Sequence, residues 1–73
     1  MNNLRRLRAL YGERGISQTD LALKARVSYA RYVRMEQGYV VPRAEELTRI
    51  AKVFRVPVAD LGFEGEPLRE EAS

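Results

Sequence analysis

Apolar residues recur along this chain at helical spacing, and nowhere do they alternate as in a strand. Leu4, Leu7, Leu10 and Tyr11 follow an Asn-Asn pair able to cap, which predicts a first helix over residues 3–12, with Gly12 and Gly15 bracketing its end. Ser17, followed three residues on by Asp20, has the form of a capping box with Asp in the acidic place. Leu21, Ala22 and Ala25 then make one apolar face, so residues 18–25 read as a second helix. Only Arg26 and Val27 separate it from Ser28, another good N-cap, after which Tyr32, Met35 and Glu36 line one side of a third helix that Gly38 ends. Ala30, Val33, Arg34 and Gln37 are turned away from that side. Beyond the loop 39–42, Leu47, Ile50, Ala51 and Phe54 give a fourth helix the cleanest amphipathic pattern in the chain. Pro57 stops it and suits the start of a short fifth turn over 58–61. The fold class expected is all-α, a compact bundle of four or five short helices, with Tyr32, Met35, Leu47, Ile50 and Phe54 in its core.

A chain of 73 residues has room for one small domain. The helical pattern places that domain over residues 1–63 and leaves 64–73 as an acidic, flexible tail with little to bury. With no cysteine and no histidine, disulfides, thiolate metal sites and the commonest general base are all excluded, so no metal and no cofactor is expected. Scattered carboxylates without a Gly-rich phosphate loop argue against an enzyme. No apolar run approaches a membrane span and arginines interrupt the N-terminus where a signal peptide needs apolar residues, so the expectation is a cytoplasmic protein.

Charge changes the picture more. Residues 1–55 hold 12 Lys and Arg against 5 Asp and Glu, a net +7, while residues 56–73 hold 1 against 5, a net −4. The overall +3 therefore hides a basic body, which suits a polyanion, and an acidic end.

Two helices joined as tightly as 18–25 and the one after Ser28 must cross steeply, which requires a small residue on the first where the second approaches; Ala22 supplies it. Counted from Gln18, Ala22 stands fifth, Arg26 ninth, and Tyr32 and Met35 fifteenth and eighteenth, where such a motif takes small, turn and buried residues. Over residues 4–63 the sequence resembles the Xre/Cro family of lambda-repressor-like helix-turn-helix proteins. The matching residues are SQTDLA at 17–22, VS at 27–28, Glu36 and Gly38, Pro42, LTRIAKVFRVPVADL at 47–61, and Phe63.

Three positions and one short segment depart from that pattern. Arg26 replaces the usual glycine of the turn, implying a left-handed residue strained by about 1 kcal/mol. Tyr11 stands where many members carry an arginine that pairs with the acid at Glu36, so Glu36 is expected to turn to the Tyr11 hydroxyl, to Arg8 or to backbone near Gly38. Arg43 takes the place of a capping serine, exchanging a cap for a cation within reach of a phosphate. The segment Tyr39-Val40-Val41 lacks the usual polar residues, so phosphate binding there is left to backbone N–H groups and Tyr39.

The resemblance implies double-stranded DNA as the partner, with the second helix of the motif in the major groove and its early residues at base edges. Carried over, Tyr29, Ala30, Val33 and Arg34 are the base-contacting positions. Arg34 can pair bidentately with guanine, and Ala30 and Val33 suit thymine methyl groups. Gln18, Arg31, Tyr39 and Arg43 are the expected phosphate contacts. Such modules pair across a two-fold axis, and Val56, Pro57, Val58, Leu61 and Phe63 form the apolar cluster expected to serve as a homodimer interface or else to close the core. The function expected is a sequence-specific transcriptional regulator, a repressor binding a short inverted repeat. The alternative is an antitoxin-like interaction module whose tail, 64–73, engages a protein partner.

Overall fold

The computed structural model describes residues 2–63, in the order α1 (Leu4–Leu10), α2 (Gln18–Ala25), α3 (Tyr29–Gln37), α4 (Ala44–Phe54) and a 3-10 turn (Val58–Leu61). The acidic tail expected over 64–73 lies outside the described residues. Among those residues no helix is long and apolar enough to cross a membrane.

The first N–H groups of a helix have no intrahelical acceptor and must find one elsewhere. Ser17 Oγ accepts from the Asp20 amide at 3.0 Å and Ser28 Oγ from the Arg31 amide at 3.2 Å, which fixes the starts of α2 and α3 to the residues expected. Of the capping box expected at Ser17, the serine half is the one formed. An arginine side chain carries no acceptor, so α4 is capped in the opposite sense. Glu46 Oε1 reaches back to the Arg43 amide at 2.7 Å.

Helices α2 and α4 end alike. Arg26 and Arg55 both adopt φ 60, ψ 44, and the amides of Val27 and Val56 bond back to the carbonyls of Ala22 and Ala51 at 2.9 and 3.1 Å. That closure normally uses a glycine, whose missing Cβ makes the left-handed backbone easy. The left-handed turn expected at Arg26 is present, and Arg55 is a second one. The C-terminus of α2 gains a further partner from α4, since Arg49 Nε donates to the Ala25 carbonyl at 2.8 Å, where cation and helix dipole attract.

The core gathers Leu4 of α1, Leu21, Ala22 and Ala25 of α2, Tyr32 and Met35 of α3, Leu47, Ile50 and Ala51 of α4, and Leu61 of the last turn. Helix α2 packs against both α3 and α4, and α4 against the 3-10 turn. Two expectations change. Leu10 is 69% exposed, because six residues on from Leu4 a helical position has rotated to the far side. Arg8, four on from Leu4, takes the inward place instead. Phe54 sits at the rim of the core, where its ring meets that of Tyr11 edge to face at 6.2 Å.

The chain's beginning is tied to its other parts by backbone and amide bonds. The Asn3 amide donates to the Leu61 carbonyl at 2.9 Å and Asn3 Nδ2 to the Asp60 carbonyl at 3.0 Å, while Asn2 Nδ2 donates to the Met35 carbonyl at 3.0 Å.

Candidate nucleic-acid interface

Helix α3 is held at both ends by an arginine fork. Near its start, Arg31 Nε and Nη2 donate to Glu46 Oε2 and Oε1 of α4 at 2.7 and 2.9 Å. Near its end the sense reverses. Glu36, its side chain 2% exposed, accepts from Arg8 Nε and Nη2 of α1 at 2.6 and 3.1 Å. The same carboxylate takes the Tyr32 hydroxyl at 2.7 Å and Gln18 Nε2 at 2.9 Å. A buried carboxylate is tolerated only when charge and lone pairs are answered this fully.

The protonation states follow from these contacts. Burial alone would push the Glu36 carboxyl up, but the Arg8 fork, the Tyr32 hydroxyl and the Gln18 amide together hold it below the ordinary carboxylate range. The Arg31 fork holds Glu46 low against the opposing effect of burial, helped by the Arg43 amide. Burial, then the bond to Glu36, pushes the Tyr32 phenol up, so it acts as a donor and stays neutral. Arg8 and Arg31 are raised by the hydrogen bonds to their carboxylates.

With those groups turned inward, the opposite face of α3 is left to solvent. Tyr29, Ala30, Arg34 and Gln37 are exposed and Val33 is half-buried among them. At positions 30, 33, 34 and 37 they form one strip along the helix. Among the described residues, the Arg34 and Gln37 side chains make no hydrogen bond or ion pair. A helix of this width fits the major groove of B-DNA, about 12 Å across. A free guanidinium and a free amide beside two small apolar side chains supply donors for purine edges and contact for methyl groups.

Residues expected at phosphates fare differently. One donor of the Gln18 side chain is given to Glu36, which leaves its second N–H and the free N-terminal backbone of α2 to offer an anion. Two donors of Arg31 are likewise spent on Glu46, which makes it a clamp for α3. Arg43 is exposed; its backbone amide donates to Glu46 and its carbonyl accepts from Leu47, and among the described residues its guanidinium makes no hydrogen bond. Tyr39 is 78% exposed, but its amide closes α3 by bonding to the Arg34 carbonyl at 2.9 Å, so the backbone donors of this loop are those of Val40 and Val41.

The apolar cluster at the last turn divides. Leu61 is fully buried within the single chain and has no side-chain area left for a partner. Val56, Val58 and Phe63 are half-buried against the core and Pro57 is exposed.

Sequence reasoning found the exposed strip and missed most of the groups that fix it. A signal existed, since Glu36 shares the buried side of α3 with Tyr32 and Met35 and a buried acid demands a cation. The pattern alone did not say that Arg8, Gln18 and Tyr32 would all converge there.

A family profile described as Helix-turn-helix matches residues 4–61, from the first residue of α1 to the last of the 3-10 turn. Among curated proteins and among solved structures, no match reaches significance.

Proposed function

The chain belongs to the lambda-repressor-like, Xre-type helix-turn-helix family of DNA-binding regulators, and on that premise we propose that it is a sequence-specific repressor that binds a short inverted repeat as a homodimer. The observation that carries this reading is the strip on α3. Its neighbours Arg31 and Glu36 are tied to α4 and α1, while Arg34 and Gln37 stand exposed beside Ala30 and Val33 and, among the described residues, unpaired. A reading helix must arrive with its rotamers and axis already fixed, because ordering them on binding would consume the affinity that base contacts supply.

In this reading α3 enters the major groove. Arg34 pairs with O6 and N7 of a guanine, Ala30 and Val33 lie against thymine methyl groups, and Tyr29 packs on a methyl or donates to a phosphate. Arg43, the Tyr39 hydroxyl, the Val40 and Val41 amides and the start of α2 hold the backbone on either side. Two copies meeting through Val56, Pro57, Val58 and Phe63 would set two such helices about one helical turn, roughly 34 Å, apart.

The test is selection of duplexes from a random pool, followed by titration of the best one. Affinity is expected to fall steeply with salt, and Arg34→Ala to relax the preference at one base pair per half-site by about 1–3 kcal/mol. Enrichment of no sequence, or a preference that survives Arg34→Ala unchanged, counts against the reading. Sedimentation of the bound and free protein checks the dimer, and Val58→Asp is expected to yield monomers.

A further inference from the structure

Beside the strip, between the start of α1 and the end of α3, lies an open cleft of about 650 Å³. Its walls are Asn2, Asn3, Arg5, Arg6 and Ala9 on one side and Glu36, Gln37 and Tyr39 on the other. Gln37 belongs to both the cleft and the exposed strip of α3, so whatever lies along that strip continues into the cleft.

The donors of the cleft sort into used and unused. Asn2 Nδ2 is spent on the Met35 carbonyl and Asn3 Nδ2 on the Asp60 carbonyl. Among the described residues the one carboxylate of its lining, Glu36, is buried and already answered by Arg8, Tyr32 and Gln18. Arg5 comes no closer to it than 4.0 Å and its side chain is 79% exposed, so its fork remains at the mouth of the cleft. Arg6 is exposed and, among the described residues, makes no ion pair. Among the described residues, what faces outward is therefore two guanidinium groups, one amide and one phenol, each able to donate, with no exposed negative charge between them.

We propose that this cleft is a second contact with the DNA backbone, in which Arg5 and Arg6, with Gln37 and Tyr39, grip the phosphates that flank the major-groove segment read by α3. The proposal rests on the reading of the strip as the base-contacting face. Arg5 and Arg6 are exposed on one short helix, and the nearest carboxylate to Arg5 among the described residues, Glu36 at 4.0 Å, is already held by Arg8, so an anion entering the cleft lowers the self-repulsion of the basic body. Each phosphate neutralised releases condensed counterions, which gives the contact a thermodynamic signature separate from base recognition. The α1 arginines thereby supply the phosphate-binding charge that the apolar segment Val40-Val41 does not.

The experiment compares the slope of log affinity against log salt concentration for the wild type, Arg5→Ala with Arg6→Ala, and Arg5→Lys with Arg6→Lys, on a selected duplex and on a scrambled one. The double alanine variant is expected to lower the slope by about two per bound subunit and to weaken both duplexes by the same factor. The double lysine variant is expected to keep the slope, since a phosphate contact accepts a point charge. Should the double alanine variant melt early, Arg6→Ala alone carries the test with a slope change of about one, because its side chain holds no other residue. An unchanged slope in a folded variant, or a changed base preference, overturns the inference and leaves the reading of α3 intact. A wild type with no salt-dependent duplex binding overturns both.

Discussion

Glu36 and Glu46 are two buried carboxylates, each gripped by an arginine fork, yet they do different work. Glu36 is part of α3 and accepts from three other side chains, Arg8, Tyr32 and Gln18. Glu46 belongs to α4, accepts from Arg31 and from the Arg43 amide, and faces an arginine that is 32% exposed. The first is a polar piece of the core that ties three helices together. The second is a helix cap that also anchors its neighbour at the surface. The contrast shows how a small α-bundle fixes one helix against two others without a large core: it places an inward acid at one end of that helix and a sideways base near the other.

The sharpest way to break the comparison is to remove each acid. Glu36→Ala would leave the half-buried Arg8 guanidinium with the Ile16 carbonyl as its remaining acceptor and the buried Tyr32 phenol with none, and the expected loss is about 3–5 kcal/mol by urea unfolding. For a domain whose whole stability is on the order of 4–11 kcal/mol, that is enough to leave much of it unfolded. A loss below that of Glu46→Ala would show that water replaces the missing oxygens and that the site is no core at all.

Acid should act through the same two groups. Both carboxyls are held below their unfolded value of about 4.3, so the stability they contribute is present above that pH and is lost as pH falls through the lowered folded values. Thermal melting from pH 6 downwards is expected to show a falling limb that Glu36→Gln flattens more than Glu46→Gln does. Equal flattening would erase the distinction between core and cap.

Glu46→Ala is expected to cost about 1–2 kcal/mol, the sum of a lost cap and a lost, partly solvated ion pair. Its effect on DNA affinity should exceed its effect on folding, since Arg31 would then be free to swing and α3 to shift. The smallest expected effect separates the two helix ends of identical geometry. Arg26→Gly and Arg55→Gly each remove a left-handed arginine and should each stabilise by up to about 1 kcal/mol, equally at the two sites, in the same urea titration.

How far the sequence could be read follows from which interactions are local. The starts of α2 and α3 were legible because Ser17 and Ser28 bond only three residues ahead, and the end of α3 because Gly38 is the residue that takes the left-handed turn at φ 87. Those ends set the rotation of α3, and with it the exposure of Tyr29, Ala30, Arg34 and Gln37. Arg26 is legible as a strained turn, whereas at Arg55, with the same dihedrals and the same valine after it, Pro57 already accounts for the helix end in the sequence. Bonds across the fold were legible only in part: of the three partners expected for Glu36, Arg8 is the one it takes, and nothing local chose it. Arg8 lies 28 residues from Glu36 and Gln18 lies 18 from it, and no periodicity chooses among Arg5, Arg6 and Arg8 until α1 is docked on the core. The same docking turned Leu10 outward and tied the Gln18 amide to Glu36.

The bond from the Asn3 amide to the Leu61 carbonyl has a kinetic meaning. It joins the two ends of the described chain, so the loop it closes is nearly the longest this fold allows, and long loops are costly to close before other contacts hold them. Helix α1, seven residues long, is too short to persist alone in water. It is therefore expected to dock late in folding and to detach early in unfolding, and Arg8 would go with it, leaving Glu36 without its guanidinium at the end of α3. Slow amide exchange in α2 and α4, beside faster exchange in α1, would be the record of that order.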